Sequence, residues 1–452
     1  MKVAIFVHCF FPEHFYGTET YTYNIAKNLQ ALGHDVTVVS AIFYGEPQRD
    51  HEITESIFDG IRVISVDKNY YPHQRLKDTY YQASMEKPLR NILRSIQPDI
   101  AHITHLINHT SILLEILTDM NIPAVATFTD FFGFCFNNKL EDATGSLCSG
   151  PNRDRSNCLA CYLKVVGNDR TTNHFIGWCR RRLPISIISR LINFARRLKL
   201  PIQRSILAVS VDLEQRPQTL KHFYRYYKAV IAPTTFLRSA YLKNGLTAPI
   251  HTMWFGVDIN RNPKPIRNNG ASLKIGYIGQ IAAHKGVDLL IEAFIQLGEC
   301  NAELFIYGPL NQDLSYSEKL LRQAKGQLIH FEATFPPEKM AQVLASMDLL
   351  AIPSRWYENS PLVLLNALAS HTPVIVSKVE GLTEFIEEGV NGYSFARSDA
   401  NDLKRVLQKF VNNPHLAQEM SKTTKYERTT REMTEELLLL YSTSVECSRS
   451  NN

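Results

Sequence analysis

Short apolar runs rich in β-branched side chains recur along the first part of the chain, at 3–8, 36–40, 61–66, 100–104 and 124–129. Longer stretches with apolar residues at helical spacing, such as 21–32, separate them. Runs of this kind read as strands covered on both faces, and their alternation with helices predicts parallel pairing. A second series follows at 273–278, 302–307, 328–331, 349–353 and 373–377. The architecture repeats, although the sequence does not. The pattern predicts an α/β protein of two Rossmann-like, doubly wound domains. The N-terminal domain is expected over 1–250, with insertions over about 135–204, and the C-terminal domain over 273–427. Between them, 251–272 collects Asn260, Asn262, Pro263, Pro265, Asn268 and Asn269 and reads as a linker; 428–452 reads as a closing helix and polar tail. Open parallel sheets bind ligands beyond the carboxyl ends of their strands, so the active site is expected in a cleft that the two domains face.

Composition narrows the function classes. A chain of 452 residues, 44% hydrophobic and 21% charged, is globular and large enough for two cores. A net charge of +5 demands no nucleic acid, and no basic groove with interleaved stacking aromatics is seen. No run of about eighteen apolar residues spans a bilayer, and no cleavage site follows the first strand. A cytoplasmic protein is expected, with its eight cysteines reduced. A Rossmann oxidoreductase lacks support because no Gly-x-Gly-x-x-Gly follows the first strand.

Three stretches carry chemistry. Gly17-Thr18-Glu19 stands between the first strand and its helix, where backbone N–H groups at a helix start face substrate. Gly276-Tyr-Ile-Gly279-Gln280 ends a strand, and His284-Lys285-Gly286 opens the next helix, so Lys285 is placed to pair with a diphosphate. Pro353-Ser354 is followed by Glu358-Asn-Ser360-Pro361-Leu362-Val363 and, further on, Asn366. Proline at a helix start leaves the next N–H groups, of Leu362 and Val363, free for an anion, with Glu358 beside it. Each has a plain alternative: a turn for Gly17, a solvated lysine for Lys285, a capping acid for Glu358.

Taken together, Gly279, Lys285-Gly286, Pro353-Ser354, Glu358, Ala367-Leu-Ala, Pro373-Val-Ile, Gly381, Glu384 and Gly389-Val-Asn-Gly392 resemble glycosyltransferase family 4. Gly17-Thr-Glu19, Gly33-His-Asp-Val, His102-Ile-Thr-His105 and Thr127-Phe-Thr129-Asp130 stand in that family's order. The resemblance implies a GT-B fold and transfer of a sugar from a nucleoside-diphosphate sugar, with retention and with no metal required. The acceptor would be a glycan or a lipid-linked glycan intermediate of polysaccharide assembly. It implies catalytic roles for Lys285, Glu358 and Asp130, and donor contacts from Gly17, Gly279, Gln280, Ser360, Pro361, Leu362, Val363 and Asn366. Glu19, His105 and Thr129 fall on the acceptor side. Four positions depart from the family: Gln280 for arginine, Asn366 for the second glutamate of a pair, Thr129 for histidine, His371 for glycine. These leave open an active enzyme or an impaired homologue retained as a scaffold.

Two insertions stand apart. Cys135, Cys148, Cys158 and Cys161 cluster in one loop region, and a structural zinc site or four reduced thiols both fit a single Cys-x-x-Cys. Arg180, Arg181, Arg182, Arg190, Arg196, Arg197 and Lys199 interleave with Trp178, Ile187, Leu191 and Phe194. That pattern fits an interfacial helix on an anionic membrane, or an ordinary surface helix.

Overall fold

The computed structural model of the chain describes residues 1–166, 183–198, 204–266, 268 and 270–449. Of the basic insertion, Trp178, Arg180, Arg181, Arg182 and Lys199 lie outside the described residues. The chain forms two compact units, Met1–Met253 with Met433–Asn452, and Trp254–Glu432. The stretch expected as a linker therefore counts with the second unit from Trp254 onward. The closing helix, Thr430–Arg449, counts with the first unit from Met433.

The first unit is built on β1 (Lys2–Phe6), β2 (Asp35–Ile42), β3 (Ile53–Phe58), β4 (Ile61–Asp67), β5 (Ile100–Ile103), β6 (Ala124–Thr127), β7 (Tyr227–Ala232) and β8 (Ile250–Thr252). They lie in the order β3-β4-β2-β1-β5-β6-β7-β8. All pairs are parallel except β3 with β4. The register sets Val3 against both Val36 and Ile100, which keeps apolar residues level across the centre. Val3, Ala4, Ile5 and Phe6 have no exposed surface, as a strand covered on both faces requires. The edge strand β3 has polar, exposed positions and so presents no apolar run.

The second unit holds β9 (Leu273–Ile278), β10 (Ala302–Tyr307), β11 (Ile329–Glu332), β12 (Leu349–Ile352), β13 (Val374–Ser377) and β14 (Gly392–Phe395), in the order β11-β10-β9-β12-β13-β14. Every pair is parallel. Ile275, Leu304, Ile306, Leu290, Leu407 and Phe410 form the centre of its core. Chain order reverses on either side of β9, between β10 and β12, which makes the carboxyl end of β9 the topological switch point of this sheet.

A buried polar seam runs through the first unit. The Tyr441 hydroxyl, on the closing helix, meets His102 Nδ1 at 2.6 Å; His102 Nε2 meets Thr127 Oγ1 at 2.9 Å, and Thr127 Oγ1 meets the Tyr21 hydroxyl at 2.9 Å. Tyr441 and His102 are fully buried, so this seam pairs groups that would otherwise be costly to remove from water. Burial pushes His102 down to about 3 and His109 down to about 4. Both imidazoles thus stay neutral in the folded state under conditions in which the unfolded chain protonates them, near pH 6.5. Stability is complete above about pH 6.5 and falls as pH drops toward about 4, with a limiting slope for the pair of about 2.7 kcal/mol per pH unit. Urea midpoints followed by circular dichroism between about pH 7 and 4.5 measure it; midpoints flat over that window contradict the neutral seam.

Candidate functional site

In the second unit, the residues beyond β9 and β12 converge. Lys285 ends a short 3-10 turn, Ala283–Lys285, after β9, and Glu358 follows β12. Lys285 Nζ lies 2.8 Å from Glu358 Oε1. The same oxygen accepts from Ser354 Oγ at 2.7 Å and Trp356 Nε1 at 3.0 Å. Lys285 Nζ also stands 5.1 Å from the centre of the Trp356 ring, which packs 3.9 Å from His284. A buried carboxylate is tolerable only when donors satisfy it, and three converge here on one oxygen. Trp356 lies outside the sequence motifs, and Ser354 entered them with no role assigned. The hydroxyl and indole N–H two or four residues before a buried acid were the available signal.

Close backbone approach fixes this loop. Gly286 has φ +73, and a Cβ there would lie 2.0 Å from the Pro353 carbonyl oxygen. Gly381 has φ +83, and a Cβ there would lie 1.5 Å from the Glu358 carbonyl oxygen. Arg355 is held away from the acid by a bidentate pair with Asp288, at 2.6 and 3.2 Å.

Pro361 is the residue capping the helix Leu362–Ala369 rather than its first helical residue, as the sequence suggested. Leu362 and Val363 are therefore the first helical positions, whose N–H groups have no acceptor within the helix. Just before it, Ser360 sits at φ +59 with its buried hydroxyl oxygen lacking a hydrogen-bond partner. Gly279 and Gln280 follow β9 directly; the Gln280 carbonyl accepts from the Tyr277 hydroxyl at 2.6 Å. Asn366 lies half-buried on the helix Leu362–Ala369. His371, at φ +58, places Nδ1 2.7 Å from the Thr424 carbonyl and Nε2 2.9 Å from the Arg261 carbonyl. The side chain that replaces glycine thus ties two segments of this unit, against a left-handed backbone worth about 1–2 kcal/mol of strain.

In the first unit, Gly17 is the first residue of the helix Gly17–Ala31, and nothing lies within 4 Å of where its Cβ would be. Thr18 Oγ1 donates to Thr129 Oγ1 at 3.0 Å. His105 Nδ1 accepts from the Ile107 N–H at 3.1 Å, so Nε2 carries the ring proton toward Asp130 Oδ2, 2.9 Å away. His105, Thr129 and Asp130 line a small open pocket with Phe132, Tyr224 and Tyr241. Glu19 does not join that wall; it is buried against His8 and Cys9. The four clustered cysteines are free thiols. Burial and the proximity of Cys135 and Cys148 push Cys161 up to about 12, and burial with Cys135, Cys161 and Cys148 raises Cys158 further.

Comparison with known proteins follows this division. The family described as "Glycosyl transferases group 1" matches residues 258–427, and "Glycosyltransferase Family 4" matches residues 15–142. A lipopolysaccharide 1,2-N-acetylglucosaminetransferase of Salmonella typhimurium is 26% identical over 309 residues, covering 56% of this chain and 80% of that protein. A D-inositol 3-phosphate glycosyltransferase of Nocardia farcinica is 32% identical over 127 residues, covering 26% of this chain and 28% of that one. Among solved structures, Anabaena Alr3699/HepE in complex with UDP and glucose superposes with a TM-score of 0.58 at 14% identity, covering 100% of both chains. WaaG, a glycosyltransferase involved in lipopolysaccharide biosynthesis, gives 0.55 at 18% identity, covering 98% of this chain and 99% of that one.

Gly381→Ala tests the loop geometry. An alanine in the left-handed region costs about 1–2 kcal/mol, and here its Cβ also drives the Glu358 carbonyl aside. The variant should melt several degrees lower, with altered emission from Trp356. Parent-like melting and emission would show that the 353–358 loop tolerates displacement.

Proposed function

We propose, for a chain that belongs to the group 1 and family 4 glycosyltransferases and has their GT-B fold, that its second unit holds a nucleoside-diphosphate hexose for transfer to a glycan or lipid-linked acceptor with retention. The observation that carries this reading is the Lys285–Glu358 pair standing beyond β9 and β12, beside the start of the helix Leu362–Ala369. A diphosphate entering there would draw Lys285 as a counter-ion and take the N–H groups of Leu362 and Val363, with the orphaned Ser360 hydroxyl as a further donor. Departure of the diphosphate is helped by these fixed donors, which strengthen as charge develops on the leaving oxygen. Glu358, released from Lys285 but still held by Ser354 and Trp356, would orient the sugar. Gln280 supplies a neutral donor in place of a cation, and Asn366 a single acceptor for ribose. Uridine diphosphate hexoses are the first donors to try, since the HepE structure holds UDP-glucose. Glycan assembly is supported by the lipopolysaccharide transferase relative.

Lys285→Ala should remove about 2–4 kcal/mol of transition-state stabilisation, lowering turnover by roughly two to three orders of magnitude. Gln280→Arg with Asn366→Glu should tighten nucleotide binding, read as a larger thermal shift with UDP. A parent protein without transfer or donor hydrolysis across uridine, guanosine and adenosine diphosphate sugars, and a double variant that binds without turning over, would remove the enzyme reading.

A membrane-bound acceptor is supported by the helix Ile185–Arg197. Ile187, Leu191, Phe194 and Leu198 fall on one face and are 42%, 53%, 60% and 55% exposed. The opposite face packs Ile188 against Leu159, Leu163 and Leu213. Arg190 and Arg197 flank the exposed stripe, as on a helix resting at an anionic lipid surface. Leu191→Asp with Phe194→Asp should weaken binding to phosphatidylserine-containing vesicles at least about tenfold, since each buried apolar side chain is worth about 1.5–3 kcal/mol. Unchanged co-sedimentation would leave a plain surface helix.

The cysteine cluster is read as a structural zinc site. Arg216, 3% exposed, has only the Phe132 carbonyl as hydrogen-bond acceptor, at 2.6 Å, and makes no ion pair with a carboxylate among the described residues. Cys135 and Cys158 are among the groups acting on it. Four thiolates around zinc would supply the missing negative charge. The sulphurs stand wider apart than a closed tetrahedron, so binding would draw them in. Elemental analysis should find one zinc per chain fewer in Cys158→Ser than in the parent; equal zinc content and equal stability in the two would remove the site.

A further inference from the structure

The carboxyl end of β1 carries a group of side chains that neither the donor site nor the cysteine cluster uses. His8 and Cys9 follow β1 closely, and Glu19 lies in the first turn of the helix Gly17–Ala31. Their ligand atoms all lie within 4.8 Å of one another, the one such grouping among the described residues. Glu19 Oε1 is 3.0 Å from Cys9 Sγ and 3.1 Å from His8 Nε2.

Their surroundings leave this group short of charge. Glu19 is 2% exposed, and its Oε2 has no hydrogen-bond partner; His8 Nδ1 also lacks one. No lysine or arginine pairs with Glu19 among the described residues. Cys9 serves Oε1, but the buried Oε2 lacks the cation or donor that a carboxylate removed from water requires.

We propose that His8 Nε2, Cys9 Sγ and the Glu19 carboxylate form a three-ligand site for one zinc-class divalent cation, with a fourth position open to water or to an oxygen of a bound ligand. Bonds of about 2.0–2.3 Å around such an ion place tetrahedral ligand atoms about 3.3–3.7 Å apart. The present separations of 3.0 and 3.1 Å need an outward shift of a few tenths of an ångström. The mixed nitrogen, sulphur and oxygen set favours zinc or cobalt over magnesium or calcium, which prefer oxygen alone. The His8 side chain, 20% exposed, gives the ion its path in. The His8 ring lies 4.5 Å from His105, so the open position would stand near the cavity that His105, Thr129 and Asp130 line.

Cobalt(II) titration of the full chain tests this without any reference to activity. Cys158→Ser with Cys161→Ser serves as the parent, so that the cysteine cluster makes no contribution. One equivalent of cobalt should bind, with a thiolate-to-metal charge-transfer band that zinc abolishes and magnesium leaves unchanged. Cys9→Ser should eliminate the band. Glu19→Gln should keep the band but weaken affinity about tenfold or more, roughly the worth of one ligating contact. A parent that binds no cobalt overturns the site. So does a band that persists in Cys9→Ser, or, where Cys9→Ser does not fold, an affinity unchanged in Glu19→Gln.

Discussion

Glu358 is the interaction on which the second unit's site depends. A carboxylate buried at the end of β12 is expensive, and it is kept there by Lys285, Ser354 and Trp356 acting on one oxygen. Much else in the neighbourhood follows from holding those partners in reach. The 353–358 loop runs so close to its neighbours that only glycine fits at 286 and 381. Arg355, within the same loop, pairs with Asp288, and Lys285 is the cation paired with the acid. Lys285 and Glu358 thus balance each other's charge within the site.

The first unit solves a different problem. Its sheet is covered on both faces, so polar groups survive only as satisfied chains or at strand ends. His102, Thr127, Tyr21 and Tyr441 make such a chain, and the closing helix is fastened by it. At the strand ends, His105 and Asp130 are oriented by backbone N–H groups of Ile107 and Phe132, which fixes the imidazole tautomer and the carboxylate plane. Oriented groups facing a cavity are what recognition of a hydroxyl-rich ligand needs.

Departures from the family pattern acquire separate physical meanings once placed. His371 replaces a residue free to adopt positive φ, accepts the strained backbone, and spends its ring on two carbonyl oxygens. Thr129 keeps a side-chain contact to Thr18, an oxygen-to-oxygen contact an imidazole would have altered. Gln280 and Asn366 each put a neutral side chain where the family pattern has a charged one.

Apolar periodicity alone marked ten of the fourteen strands among the described residues, because a strand buried on both faces must be written in continuous apolar residues, while the parallel strands β7, β8 and β14 fell outside it. Residue type and spacing singled out Lys285, Glu358 and the Pro361 helix start, and the tertiary structure pairs the first two at 2.8 Å. Sequence could not reveal β3, whose edge position tolerates polar residues, nor the membership of the closing helix, which rests on Tyr441 reaching His102 across more than three hundred residues. It placed Glu19 with the acceptor, whereas the tertiary structure turned it inward onto His8 and Cys9. Which donors satisfy a buried group is a matter of three-dimensional proximity, and spacing along the chain does not encode it.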